Sequence, residues 1–295
     1  MSASESMGIA WREVMEQSRR RVVWPDGAAV ASTIGIALEA FVNQSQYRLS
    51  GKPGERNEFS LSYGEYGVKV GVWRLLEMLE RHGLPGTFSI SGLLAERHPQ
   101  VISAIVQAGH DVVGHGWAND LFLIGASEEE ERRMIRDTLD AIERACGVRP
   151  SGWASPANSS NEGTNAILLE EGVFWTGDDA SDDLPYVEHA GTPQEIVILP
   201  KVNLAANDLI HWILSTNSPS VFREGFEDTF ATITREGREG RPQWSDIVLH
   251  CHMAGRPAFA PTLDRILGFL AREESVWHAT KTELAEWVRE QGVTR

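Results

Sequence analysis

A distorted parallel α/β barrel is the fold class this sequence predicts, and three observations predict it. Strand-like segments alternate with helix-like segments along most of the chain, which implies parallel strands joined by crossover helices. The chain has 295 residues, and one barrel of this class takes about 250 with room for extensions. No internal repeat and no low-complexity tract breaks the alternation.

Residues 28–36 are small and β-branched enough for a buried first strand. Val72, Leu75, Leu76 and Leu79 fall at helical spacing, and Gly83 follows as a stop. Residues 87–91 read as a short alternating strand. Val101, Ile102, Ile105 and Val106 mark a helix closed by Gly109, and 111–113 the next strand. Ser127 and Glu130 form a capping box, with Glu128, Glu129 and Glu131 crowding the first turn, where the helix dipole favours negative charge. Ile135, Leu139, Ile142 and Cys146 supply that helix's apolar stripe, and Gly147 ends it. Further helices are expected at 161–171, 220–236, 261–273 and 281–291, with strands between them, including 247–250. The stretch 43–66 has no core pattern; loops of that length are commonly lids, and this one follows the first strand, at the barrel end where active sites are built.

With 42% apolar and 23% charged residues, the chain reads as globular, and its formal charge of −15 argues against nucleic acid as a partner. Cys146 and Cys251 are the only cysteines, which suggests a reducing compartment. Residues 1–21 lack the apolar core of a secretory signal, and no apolar run approaches a membrane span. The expectation is a cytoplasmic protein with an N-terminal arm (1–21) and one barrel domain (22–295).

Several polar residues stand where a barrel mouth would collect them. His115 lies between Gly114 and Gly116 at a strand's C-terminal end, as a catalytic or ligating group would, whereas His110 at the strand's entry reads as an ordinary structural histidine. His250 and His252 share one face if the strand continues through them, and Cys251 then points into the core. Glu39 closes the first strand, either as its solvated end or aimed into the pocket. Asn207 and Asp208 follow another short apolar stretch and are equally ambiguous. The clusters 149–153 and 177–179 followed by 182–186 read as surface loops.

Taken in order, the segments resemble the polysaccharide deacetylase superfamily, the NodB homology domain, from about Val22 onward. They are most similar to its allantoinase-like and cyclic-imidase-like members. The motifs are Tyr66-Gly67 with Trp73-Arg74-Leu75, Gly109-His110 through His115-Gly116-Trp117, Arg149-Pro150-Ser151-Gly152-Trp153, Asp182-Asp183-Leu184-Pro185-Tyr186, Asn207-Asp208, and Leu249-His250-Cys251 with Gly255-Arg256-Pro257. The resemblance implies a NodB-type barrel with fewer than eight strands. It also implies a hydrolase of non-peptide C–N bonds in a small amide, cyclic imide or ureide, with an N-acetyl sugar deacetylase and an inactive binding homologue as alternatives.

In that reading Glu39 activates water, His115 ligates a metal or positions the water, and His250 protonates the departing nitrogen. Trp117, Trp153, Tyr186, Asn207 and Asp208 bind substrate, the last two contacting either substrate or His250. One divalent ion, most simply zinc, would sit on Glu39, His115 and Asn119. Two departures stand out: the acidic pair of the sugar deacetylases is reduced to Glu39, and Asn119 occupies the second histidine position. The resemblance further implies a homo-oligomer, dimer or tetramer, reached by the N-terminal arm.

Overall fold

The computed structural model describes residues 11, 13, 14, 21–47, 51–201 and 206–294. The proposed arm at 1–21 therefore lies almost wholly outside the described residues. No described helix is long and apolar enough to cross a membrane.

Among the described residues, nine strands form one curled sheet: β1 Val30–Leu38, β2 Thr87–Ile90, β3 Asp111–Gly114, β4 Gly152–Trp153, β5 Trp175–Thr176, β6 Tyr186–Glu188, β7 Ile196–Ile198, β8 Gln243–His250 and β9 Val276–His278. The wall runs β7-β5-β4-β3-β2-β1-β8, seven parallel strands. The short β6 is added antiparallel beside β7, and β9 pairs with the first three residues of β1. At the far edge Asn207 bridges to Val248 of β8. The distorted α/β barrel is thus present, its parallel wall short of eight strands.

Among the described residues, ten helices cover or close this wall: α1 Glu58–Tyr66, α2 Val72–His82, α3 Gly92–Arg97, α4 Pro99–Gln107, α5 Glu128–Cys146, α6 Thr164–Glu170, α7 Pro219–Arg238, α8 Cys251–Ala254, α9 Ala260–Leu270 and α10 Lys281–Glu290. The Ser127–Glu130 capping box is formed, and Gly147 and Gly83 end α5 and α2 in the left-handed region that glycine adopts without strain.

Every residue of β1 is buried, the mark of a parallel strand covered on both faces. Ile34, Ile36 and Leu38, with Phe88, Ile90 and Val112, face outward and pack on the helix layer. Ala31, Val113, Trp175 and Trp244 face inward and join Leu284, Ala285 and Val288 of α10, which plugs the lower lumen. Each fully buried aliphatic or aromatic side chain contributes roughly 2 kcal/mol. Above that plug the inward positions turn polar.

The stretch 43–66 is not structureless. Asn57 accepts the Ser60 N–H and starts α1, whose buried positions include only Ser60, Leu61 and Gly64, so no apolar stripe announces it. A π-turn, Gly67–Gly71, joins α1 to α2 and lies against α8. A Cβ on Gly71 would fall 1.9 Å from the Cys251 carbonyl oxygen, a backbone atom that cannot step aside. Gly71→Ala is therefore expected to cost about 3 kcal/mol and roughly 6–10 °C of Tm. An unchanged calorimetric Tm would contradict this contact.

Candidate active site

Register places the site. Leu38 pairs with Ile90, and Ile90 with Gly114, so the next residues along each chain, Glu39, Ser91 and His115, stand side by side at the strands' C-terminal ends. Ala37 pairs with His250, which brings the end of β8 to the other flank of Glu39. All four belong to the inward-facing alternation.

His115 donates from Nδ1 to the Ala154 carbonyl at 2.5 Å, which fixes its ring and turns Nε2 toward Glu39 Oε1 at 3.4 Å. His250 donates from Nδ1 to Asp208 Oδ1 at 2.6 Å and from its backbone N–H to Oδ2 at 2.8 Å. Its Nε2 then lies 3.8 Å from Glu39 Oε1. His252 Nδ1 stands 3.6 Å from the other oxygen, Oε2, which also accepts from Gln46 Nε2 at 3.0 Å.

These neighbours decide the charge states. Burial pushes the Glu39 carboxyl up, but the charge of His250 and the hydrogen bond with His115 outweigh it and hold it at about 2. Burial pushes His250 down, and Asp208, then Glu39, reverse this and raise it to about 9. For His252 burial wins over the attraction of Glu39, and its pKa falls to about 4. At neutral pH the site therefore holds a carboxylate, an imidazolium at His250 and a neutral imidazole at His252.

Glu39, His115 and His250 are brought together as expected, and Asp208 takes the second of its two expected roles by orienting His250. His252 does face the same side, though not by strand alternation: β8 ends at His250 and α8 begins at Cys251. Asn207 is spent locally, its Oδ1 accepting the Leu209 and Ile210 N–H groups.

Two expected substrate contacts belong to the core. Trp153 is 0% exposed, packs with Ile135, Leu139 and Leu168 under α5 and α6, and donates to Ser155 Oγ at 2.9 Å. Its place in β4 puts it on the outer face. Tyr186 is buried with Ile196 and Ile198 on β6 and β7, at the sheet edge remote from β1. Trp117 is half-buried with its indole against Gly92 of α3, so it too serves the helix layer. His110 is structural as expected, accepting the Gly86 N–H at 3.2 Å.

Two residues were missed. Ser91 follows the same alternation as Glu39, which could have found it. Gln46 reaches the site from the 43–66 lid, whose entry is pinned by Asp120 accepting the Val42, Asn43 and Gln44 N–H groups. No sequence pattern predicts that reach.

The metal expectation fares differently. Among the described residues no three His, Cys, Asp or Glu side chains converge as cation ligands. Glu39 and His115 face one another at 3.4 Å. Asn119 offers a buried Oδ1 without a hydrogen-bond partner, and a neutral amide oxygen is a weak zinc donor. The donor set does not fit a tightly held zinc ion. Protein dialysed against a strong chelator is expected to keep its activity, with well under one zinc per chain by elemental analysis; stoichiometric zinc surviving the chelator would contradict this.

Sequence and structure comparisons place the chain among known proteins. The family model described as "Polysaccharide deacetylase" matches residues 57–173. A Schizosaccharomyces pombe protein, provisionally named a polysaccharide deacetylase, is 28% identical over 75% of this chain and 73% of its own. A Mycobacterium smegmatis structure, also provisionally named a polysaccharide deacetylase, superposes with a TM-score of 0.80 at 29% identity, covering 92% of this chain and 94% of that one. The structure of an allantoinase superposes equally well, with a TM-score of 0.80 at 29% identity over 90% of this chain and 91% of the other. By this match over residues 57–173 and by the open parallel barrel shared with these structures, the chain is similar in sequence and fold to the polysaccharide deacetylases.

Proposed function

We propose that this chain hydrolyses the amide C–N bond of a short N-acetylated amino sugar. The observation that carries the chemistry is Glu39, a buried carboxylate with His115 at 3.4 Å and the charged His250 at 3.8 Å. Amide hydrolysis needs a proton taken from water and a proton given to nitrogen, and this pair is charged to do both. The names of two of the three relatives favour the acetyl group over a cyclic imide or ureide, which therefore becomes the second reading.

Glu39 accepts a proton from water as the oxygen attacks the carbonyl carbon. A carboxyl held at about 2 is a weak base while His250 is charged. When His250 passes its Nε2 proton to the departing nitrogen, that suppressing charge disappears and Glu39 can retain its own proton. The C–N bond breaks, and a carboxylic acid and an amine leave. Asp208 keeps His250 charged and aimed, and His115, anchored on Ala154, orients the water.

Enclosure favours the cyclic amide. The Glu39 side chain is 1% exposed and His250 8%, and Gln46 covers the carboxylate, an enclosure by the described residues that suits a small ring. The test is a panel of N-acetylglucosamine and its dimer against hydantoin, succinimide and allantoin. Acetate release from the sugars with no ring opening is the expected result. Ring opening alone would install the second reading, and binding without turnover in both sets would leave an inactive homologue.

A further inference from the structure

Among the described residues ten buried side-chain polar atoms lack a hydrogen-bond partner, and five of them (in Gln46, Ser91, Asn119, Asp178 and His252) sit at or beside the barrel mouth. Buried polar groups are almost always paired, so such a concentration marks a surface that a ligand completes. Four of the five belong to the strand ends and lid around Glu39, His115 and His250. Asp178 does not.

Asp178 follows β5, where Gly177 donates to the Trp153 carbonyl at 2.9 Å, on the side of His115 away from Glu39. Its side chain is 5% exposed. Oδ1 accepts the Ser155 N–H at 2.8 Å, one residue beyond the carbonyl that anchors His115, while Oδ2 has no partner. Lys201, after β7, places Nζ 3.7 Å from Asp178 Oδ1 and bonds Asn158 Oδ1. Asn158 and Ala157 both hold left-handed backbones (φ 57° and 49°), unusual for residues other than glycine. Lys201 also feels the charges of Lys281 and Asp246, which line the lumen beside Gly35 on the face that carries Glu39.

We infer that Asp178 and Lys201 form a second subsite at the mouth that reads a hydrogen-bond donor and an acceptor next to each other on the substrate. Asp178 Oδ2 accepts from the donor, an O–H or N–H, and Lys201 Nζ donates to the adjacent oxygen. Neighbouring substituents of an amino sugar carry this pattern, and so does the N–H and C=O of a ureide ring. The inference rests on the reading of the site as an amide hydrolase and names what the substrate must present beside its scissile bond.

Asp178→Asn is the informative variant. The amide oxygen can still accept from Ser155, while the free Oδ2 becomes an NH2 donor, so a purely structural role survives and an accepting role does not. Binding is measured by calorimetry in the Glu39→Gln background with N-acetylglucosamine as one probe and hydantoin as the other, alongside Asp178→Asn and Lys201→Met added singly to that background.

The expected result is that one probe binds and that each added substitution weakens it about tenfold or more with Tm unchanged. The probe that binds identifies the source of the pattern. Affinity within twofold of the parent in both variants would overturn the subsite, as would failure of both probes to bind the parent at millimolar concentration. Weakened binding in Asp178→Asn, from a wild-type chain that hydrolyses no amide, would support the subsite while overturning the hydrolase reading.

Discussion

Glu39→Gln is expected to lower kcat roughly a thousandfold or more and to leave KM within a few-fold. Glutamine matches the size of the side chain and can still accept from Gln46, so the packing at the end of β1 survives. What disappears is the one carboxylate among the described residues that faces His115, His250 and His252 together. The loss falls on the transition state, where the proton of water must move, rather than on ground-state binding. Far-ultraviolet circular dichroism should be unchanged. A variant with more than a tenth of wild-type turnover and native spectra would remove Glu39 from the chemistry.

The second large effect concerns His250 and is visible in pH. Activity requires Glu39 ionised, which holds above about 2, and His250 protonated, which holds below about 9. The rate should therefore fall as pH rises through about 9. His250→Ala should lose roughly 10²- to 10⁴-fold and flatten that limb. Asp208→Asn should move the limb to lower pH, because Asp208 is the leading attraction that keeps the His250 proton.

The same groups link pH to stability. His250, raised above its unfolded value of 6.5, stabilises the fold fully below 6.5 and loses that contribution as pH rises through about 9. Glu39, lowered from 4.5, stabilises above 4.5 and loses it as pH falls toward about 2. His252, held neutral, stabilises above 6.5 and loses that contribution as pH falls through about 4. A limb that stays at pH 9 in Asp208→Asn would mean that some other group titrates there.

Much of this was legible in the chain because the signals are local. Capping boxes, glycine stops and apolar periodicity located α5, α7, α9 and α10 to within a few residues. The glycines around His115 were enough to nominate it, whereas Glu39 stayed ambiguous at its strand end until the family resemblance gave it a role. Where sequence reasoning failed, the deciding contacts were long-range. Trp153 and Tyr186 look like pocket walls beside polar motifs, yet strand parity in two- and three-residue strands, too short to show a pattern, turned them into the core. Helix α1 hides because it buries serine and glycine where a stripe would need leucine. The polar cluster at 177–179 read as surface, but Asp178 is buried against Ser155 and Lys201, neither of which is near it in sequence.

The central claim is that water, activated at Glu39, opens an amide directly. Its most direct test is turnover of the best substrate of the panel in ¹⁸O-labelled water, followed by mass spectrometry of the released acid, for wild type and Glu39→Gln. The account predicts one solvent oxygen in each acid molecule made by the wild-type chain and no acid above background from the variant. Equal release by both proteins, or acid without solvent oxygen, would contradict it.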